Sequence, residues 1–307
     1  MADEIVLRPS VAASVPFPLR WARGFWAFVV TMFRYKPLGF AGFVIVLVLM
    51  FTAIFADFIA PYEYNDTNRH DQFAPPSLKH PIGADHLGRD LFSRIVHGSR
   101  ISVSIGFGAV AGAMCIAITL GTLTGYYGGW LDKIIQRFVD GWMTFPGIVI
   151  ALAMVAIAGP GLWPLIIILG LLFGIRGSRV VRGQVLAVMA RPHIEVARSV
   201  GVSDLRLMAV HVFPNVLPLV IILATIEIPL AITIEASLSF LGFGIPAPAP
   251  SWGRMLSAEA RQHMLMAPWL GIAPGLALSL TIFGWNMFGD ALRDLLDPAM
   301  RGSLGER

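Results

Sequence analysis

Residues 101–124 read ISVSIGFGAVAGAMCIAITLGTLT, 24 positions without one charged side chain. In helix, at 1.5 Å per residue, such a run is about 36 Å long, enough to cross a hydrocarbon core of about 30 Å. A helix of that length on a soluble core would carry a polar face, and this run has none. Five further runs of similar character lie on either side: Leu38–Ile59, about Trp142–Ala158, Leu162 to about Val181, about Val212–Ala236 and Trp269–Phe288. Gly159-Pro160-Gly161 leaves room only for a tight turn between two of them, so that pair forms a hairpin. The first run begins too far from Met1 and is too long for a cleaved signal peptide.

Composition agrees over all 307 residues: 56% apolar and 14% charged, with a mean hydropathy of +0.72. A soluble domain carries roughly 25% charged residues, so soluble, disordered and fibrous classes are excluded. A single cysteine, Cys115, forms no intrachain disulfide. The expected fold is an all-α membrane protein with six transmembrane helices. Its organisation is an N-terminal segment 1–37, a first helix and external segment 38–100, a five-helix core 101–290 with a specialised loop at 191–214, and a tail 291–307.

The net charge of +4 need not mean nucleic acid, because membrane proteins retain basic loops in the cytoplasm. With the N-terminus inside, 16 Lys/Arg fall on the inner side and seven outside. The flanks of the first helix tie, and the six arginines from Arg176 to Arg206 decide the matter. Both termini are expected to be cytoplasmic. Phe25–Phe33, apolar but nine residues long between Arg23 and Arg34, is expected along the inner interface. Leu87, Leu91 and Ile95 recur at spacing four, which predicts a short amphipathic helix at the outer surface. Gly108/Gly112, Gly121/Gly125, Gly170/Gly174 and Gly271/Gly275 allow close helix approach and a compact bundle. No repeat of 20–50 residues is visible.

Uphill transport driven by ATP needs a phosphate loop of the form GxxxxGK[ST], and the lysines Lys36, Lys79 and Lys133 follow Tyr, Leu and Asp, never Gly. No HExxH, CxxC or GxSxG occurs, so no catalytic residue, metal or cofactor is expected; His80, Asp85 and His86 match no standard ligand spacing. The informative inner stretch is RPHIEVARSVGVSDLRLMAVHVFPNVLP, residues 191–218. It reads as helix, break, helix. Ile194, Ala197 and Val200 share one face, Gly201 takes the left-handed conformation, Ser203 caps the next helix, and Leu205, Met208 and Val212 give a second apolar face. Such a hairpin suits a groove on a partner protein, or a place on the membrane surface.

Here the chain resembles a known family. Glu195-x-Ala197, Gly201 and the Phe213-Pro214 pair look like the cytoplasmic signature of ABC importer permeases. GADHLGRDLFSRIVHGSRISV from Gly83, DGWMTFPGIVIAL from Asp140, VVRGQVL from Val180, EASLSFLGFGIPAPAPSWGRML from Glu235, APWL from Ala267 and GDALRDLLDP from Gly289 are similar to the dipeptide, oligopeptide and nickel importer permeases. The similarity is to the subunit with one long external segment after its first span. Val196 and Ala84 depart from the usual pattern, at a small-residue position and at a common threonine.

The resemblance implies a type I permease of the bacterial inner membrane that forms half of a translocation path. Its partners would be a second, homologous permease in a heterodimer, two ATP-binding subunits and an extracytoplasmic binding protein, with no nucleic acid. The solute would be a peptide or a related small molecule such as a nickel chelate. The implied coupling set is Glu195, Ala197, Arg198, Gly201, Ser203 and Asp204. Two carboxylates on the fifth run, Glu227 near its middle and Glu235 toward its outer end, are candidates for the path or for a helix contact. The competing readings are a channel or proton-coupled carrier using Glu227, and a membrane-embedded enzyme, which lacks nucleophile and metal patterns.

Overall fold

A computed structural model of the protein describes residues 29–296. The start of the expected interfacial segment and the tail from 297 lie outside the described residues. A short helix covers 29–35, and the main helices follow: α1 (Pro37–Ile54), α2 (Leu91–Tyr127), α3 (Gly129–Met143), α4 (Gly147–Ala158), α5 (Leu162–Met189), α6 (Pro192–Ser199), α7 (Asp204–Phe240) and α8 (Trp269–Leu296). Among the described residues no strand forms, and one isolated bridge pairs Ala84 with Asp90.

Five helices, α1, α2, α5, α7 and α8, are long and apolar enough to span a membrane, and a sixth span exists if α3 and α4 are one broken unit. The expected run Trp142–Ala158 is not one straight helix: it turns by 91° at the break between Met143 and Gly147. Pro146 provides the reason, since proline lacks the N–H an ongoing helix needs and biases Phe145 away from helix. The division expected at 100/101 falls inside α2, and that at 290/291 inside α8. Arg94 and Arg100 mark a boundary in the sequence, yet both are satisfied within the helix's surroundings. Arg94 donates to the Tyr64 carbonyl at 2.9 Å, and Arg100 grips both Asp57 oxygens at 2.8 Å while also donating to the Ala53 carbonyl at the end of α1. The Arg100 guanidinium holds the Asp57 carboxyl below the usual carboxylate range.

The centre of the bundle is the parallel pair α2–α5, in which contacts advance together from Gly108 beside Ile166 to Gly125 beside Val185, and it makes the broadest helix contact among the described residues. Small residues set its spacing. A Cβ at Gly121 would lie 2.7 Å from the Ser178 carbonyl oxygen, and one at Gly174 would lie 2.9 Å from that of Ala113. Gly125 approaches Val185 in the same way. Backbones this close gain dispersion contact that lipid-facing leucines cannot supply. Of the expected pairs, Gly121/Gly125 and Gly170/Gly174 therefore carry helix packing. Gly112 has nothing near it, and Gly275 makes only an ordinary contact with Leu256. A second pair, α1–α8, packs Gly42 against the Gly284 carbonyl and Gly284 against Ile45. Helix α7 lies against α2, α5 and α8 and joins the two pairs.

The segment 60–90 is a knot of polar contacts over the first turn of α2. Asp90 caps that turn through the Ser93 N–H at 2.8 Å and also accepts from the Ser93 hydroxyl at 2.7 Å, with His80 Nδ1 2.9 Å away. Asp85 accepts from the Arg89 and Leu87 N–H groups and from Arg89 Nε. The amphipathic surface helix expected over Leu87–His97 is thus replaced by a turn through Asp90 and the buried start of α2: Leu91 is 2% exposed. Its apolar residues face protein because α8 lies beside them, with Trp269 Nε1 donating to the Ala84 carbonyl at 3.2 Å. Ala84 is itself fully buried there, where the common threonine would need room and a hydrogen-bond partner.

Candidate functional site

The α5–α7 connection is built by its backbone. Pro192 starts α6 at a position where a missing N–H costs nothing. At the other end Gly201 has φ +78°, its N–H donates to the Arg198 carbonyl at 3.0 Å, and Val202 N–H donates to Ala197 at 3.2 Å. These two bonds form a Schellman motif, the ending that requires a left-handed residue. A Cβ on Gly201 would meet nothing within 4 Å, so its identity is set by conformation and not by space. Ser203 has the extended backbone of a cap, but its side chain makes no capping bond.

Ile194 and Ala197 are buried, as expected, whereas Val200 is 74% exposed. The second apolar face also differs from expectation: Leu205 is 78% exposed, while Leu207 and Val212 are fully buried. The cause is a π-helical turn over Leu207–Val212, in which residues five apart share a face. The helix then continues through Phe213-Pro214 into the fifth span. Val196, Val200 and Leu205 stand out from the hairpin as an apolar edge, beside the exposed Glu195, whose carboxylate has no partner among the described residues.

Two residues that sequence reading missed fasten this hairpin. Tyr126, at the end of α2, donates its hydroxyl to Asp204 Oδ1 at 2.5 Å, and the Arg198 guanidinium lies 5.3 Å from the centre of its ring. Asn215 accepts from Arg191 at 2.9 Å and donates to the His211 carbonyl. Arg198 and Asp204 thus turn inward to α2, and Glu195 turns outward.

Three arginines follow at three-residue spacing on α5. Arg182 donates to both oxygens of Asp132 at 2.6 Å, and Arg179 lies 2.9 Å from Asp140, both acids on α3. Arg176 has no hydrogen bond or ion pair among the described residues. It borders a cavity of about 410 Å³ with Trp142, Phe145, Phe173 and Ile234.

Glu227 is 8% exposed and packs beside Gly177 of α5, where a Cβ would lie 3.7 Å from its Oε1. Its Oε2 has no partner among the described residues. Glu235 is not near water: it is 1% exposed, and its Oε1 accepts from Ser239 at 2.7 Å and Ser251 at 2.6 Å, tying α7 to the following loop. His80 and Asp85 are engaged as described above, and no group of three or more metal-ligand side chains occurs among the described residues.

The helices define a multi-pass membrane protein that presents one exposed, arginine-bearing hairpin. The chain belongs to the family described as binding-protein-dependent transport system inner membrane component, which matches residues 117–302. Residues 24–76 match the N-terminal TM domain of oligopeptide transport permease C. The dipeptide transport system permease protein of Alkalihalophilus pseudofirmus is 39% identical, with 90% of each chain covered. The glutathione transport system permease protein of Pectobacterium atrosepticum is also 39% identical over 91% of each chain, and that of Escherichia coli O157:H7 is 41% identical over 88% of this chain and 89% of its own. The protein is therefore a multi-pass inner-membrane permease of an ABC importer, and ATP is hydrolysed in separate subunits. Energy from ATP displaces both the stand-alone carrier and the enzyme reading.

Proposed function

We propose that this chain is one half of the pore of a peptide importer, that it pairs with a second, homologous permease, and that the α6–Gly201–α7 hairpin is the cytoplasmic contact through which two ATPase subunits drive it. The observation that carries this reading is the exposed apolar edge Val196, Val200 and Leu205 beside a free Glu195, held on a hairpin latched to α2 by Tyr126. Exposed apolar residues on a rigid helical turn fit a groove on a partner. Peptides as cargo are supported by the two kinds of relative, one named for dipeptides and the other for glutathione, itself a tripeptide. The excess of basic residues on the hairpin side supports cytoplasmic termini.

Gly201→Asp tests the coupling. A side chain at a left-handed position costs about 1–2 kcal/mol, enough to redirect α7's start, and the carboxylate adds charge to the edge. The variant is expected to insert and pair normally, to lose co-purifying ATPase subunits, and to lose ATP hydrolysis stimulated by the binding protein in proteoliposomes. Wild-type values for both measurements would overturn the assignment.

A further inference from the structure

We propose that Arg176 anchors a subsite inside the membrane that takes the terminal carboxylate of a peptide, an inference that rests on the peptide-import reading above. Arg176 lies about 21 Å along α5 from Leu162, within a helix long and apolar enough to span a membrane. An arginine at that depth is retained where it has a partner or a wet path. Its two neighbours on α5 have their partners built in, Asp140 for Arg179 and Asp132 for Arg182. Arg176 makes no hydrogen bond or ion pair of this kind among the described residues. The carboxylate near it, Glu227, is sequestered beside Gly177 and makes no hydrogen bond to it. What Arg176 does border is the cavity of about 410 Å³, whose other walls are Trp142, Phe145, Phe173, Ile148 and Ile234.

One cation in an open groove of aromatic and aliphatic side chains, with Phe145 and Ile148 exposed, selects a ligand with one anionic end and an apolar body. A guanidinium presents its donors as a planar fork that fits both oxygens of a carboxylate. A volume of this order holds a peptide of a few residues. The groove lies between the bent α3–α4 unit, α5 and α7, and α5 and α7 are the two helices that the hairpin joins, so a ligand there touches elements that the hairpin moves.

The experiment uses the assembled importer in nanodiscs, with alanyl-phenylalanine and its C-terminal amide as probes. Binding is measured without the binding protein, and uptake of the free dipeptide is measured separately in proteoliposomes. The wild type is expected to hold the acid about tenfold more tightly than the amide, the usual worth of one charge-assisted hydrogen bond. Arg176→Gln should erase that difference and slow uptake, whereas Arg176→Lys should keep most of it. Equal affinity of the wild type for acid and amide, with uptake intact, overturns the subsite. Loss of the second permease from the Arg176→Gln complex overturns it too, and assigns the arginine to the subunit contact. Failure of the wild type to import alanyl-phenylalanine, a longer peptide or glutathione overturns the peptide reading, and the subsite with it.

Discussion

Tyr126 is the residue on which the hairpin's position turns. Its hydroxyl reaches Asp204 across 78 positions of sequence, and its ring carries Arg198, so one side chain fixes both arms of the loop to the end of α2. Tyr126→Phe keeps the ring and removes the hydrogen bond. A bond to an ionised acceptor contributes about 1.5–3 kcal/mol, so the variant is expected to assemble but to couple poorly, with more ATP hydrolysed per peptide imported. An unchanged ratio of hydrolysis to uptake would remove Tyr126 from the coupling path. Sequence reading found Gly201, because a glycine after an apolar helical pattern has few other uses. It did not find Tyr126 or Asn215, whose partners are distant in the chain and carry no local signature. Counting threes and fours places Val200 and Leu205 inward, but Val200 is where α6 ends before Gly201, and the period changes to five over Leu207–Val212, just after Leu205.

Among elements, α2 and α5 form the pair whose fit the fold depends on. Gly121→Leu would drive a side chain into the Ser178 carbonyl and Val181, both already 2.7 Å from where its first carbon would stand. Overpacking of this kind costs about 1–3 kcal/mol. The purified permease should unfold at lower temperature and yield less of the complex, while Gly112→Leu, on the same helix with nothing near it, should leave both unaltered. Equal losses in the two variants would mean that glycine matters here for something other than helix spacing. The apolar runs announced every spanning element, but not their ends. Hydropathy treats Arg94 and Arg100 as stops; in the protein each is cancelled by carbonyls and by Asp57, so α2 starts at Leu91. The bend before α4 was written in Pro146, and hydropathy averaged across it.

For the whole molecule, sidedness decides which partners reach which face. Val200 is exposed at the hairpin, so a cysteine there reports its compartment. On a Cys115→Ala background, with the permease expressed without the ATPase subunits that would cover this edge, Val200→Cys is expected to resist an impermeant thiol reagent in intact cells and to react in inverted vesicles. Labelling in intact cells would invert the orientation. Six spans and the basic asymmetry were legible in the chain because they are sums over many residues, and sums survive local error. The placement of Glu235 was not, since its partners Ser239 and Ser251 become partners only once the loop after α7 folds back. That loop gives α7 a further consequence. The helix runs 37 residues from Asp204 to Phe240, about 55 Å of continuous rod in which Pro218 and Pro229 are the points of reduced hydrogen bonding. One end is bound to Tyr126 and the other, through Glu235, to Ser251 of the loop that follows α7. A strut held at both ends links them: whatever factor a partner bound at the hairpin imposes on binding at the far end must be returned in equal measure by a ligand bound there.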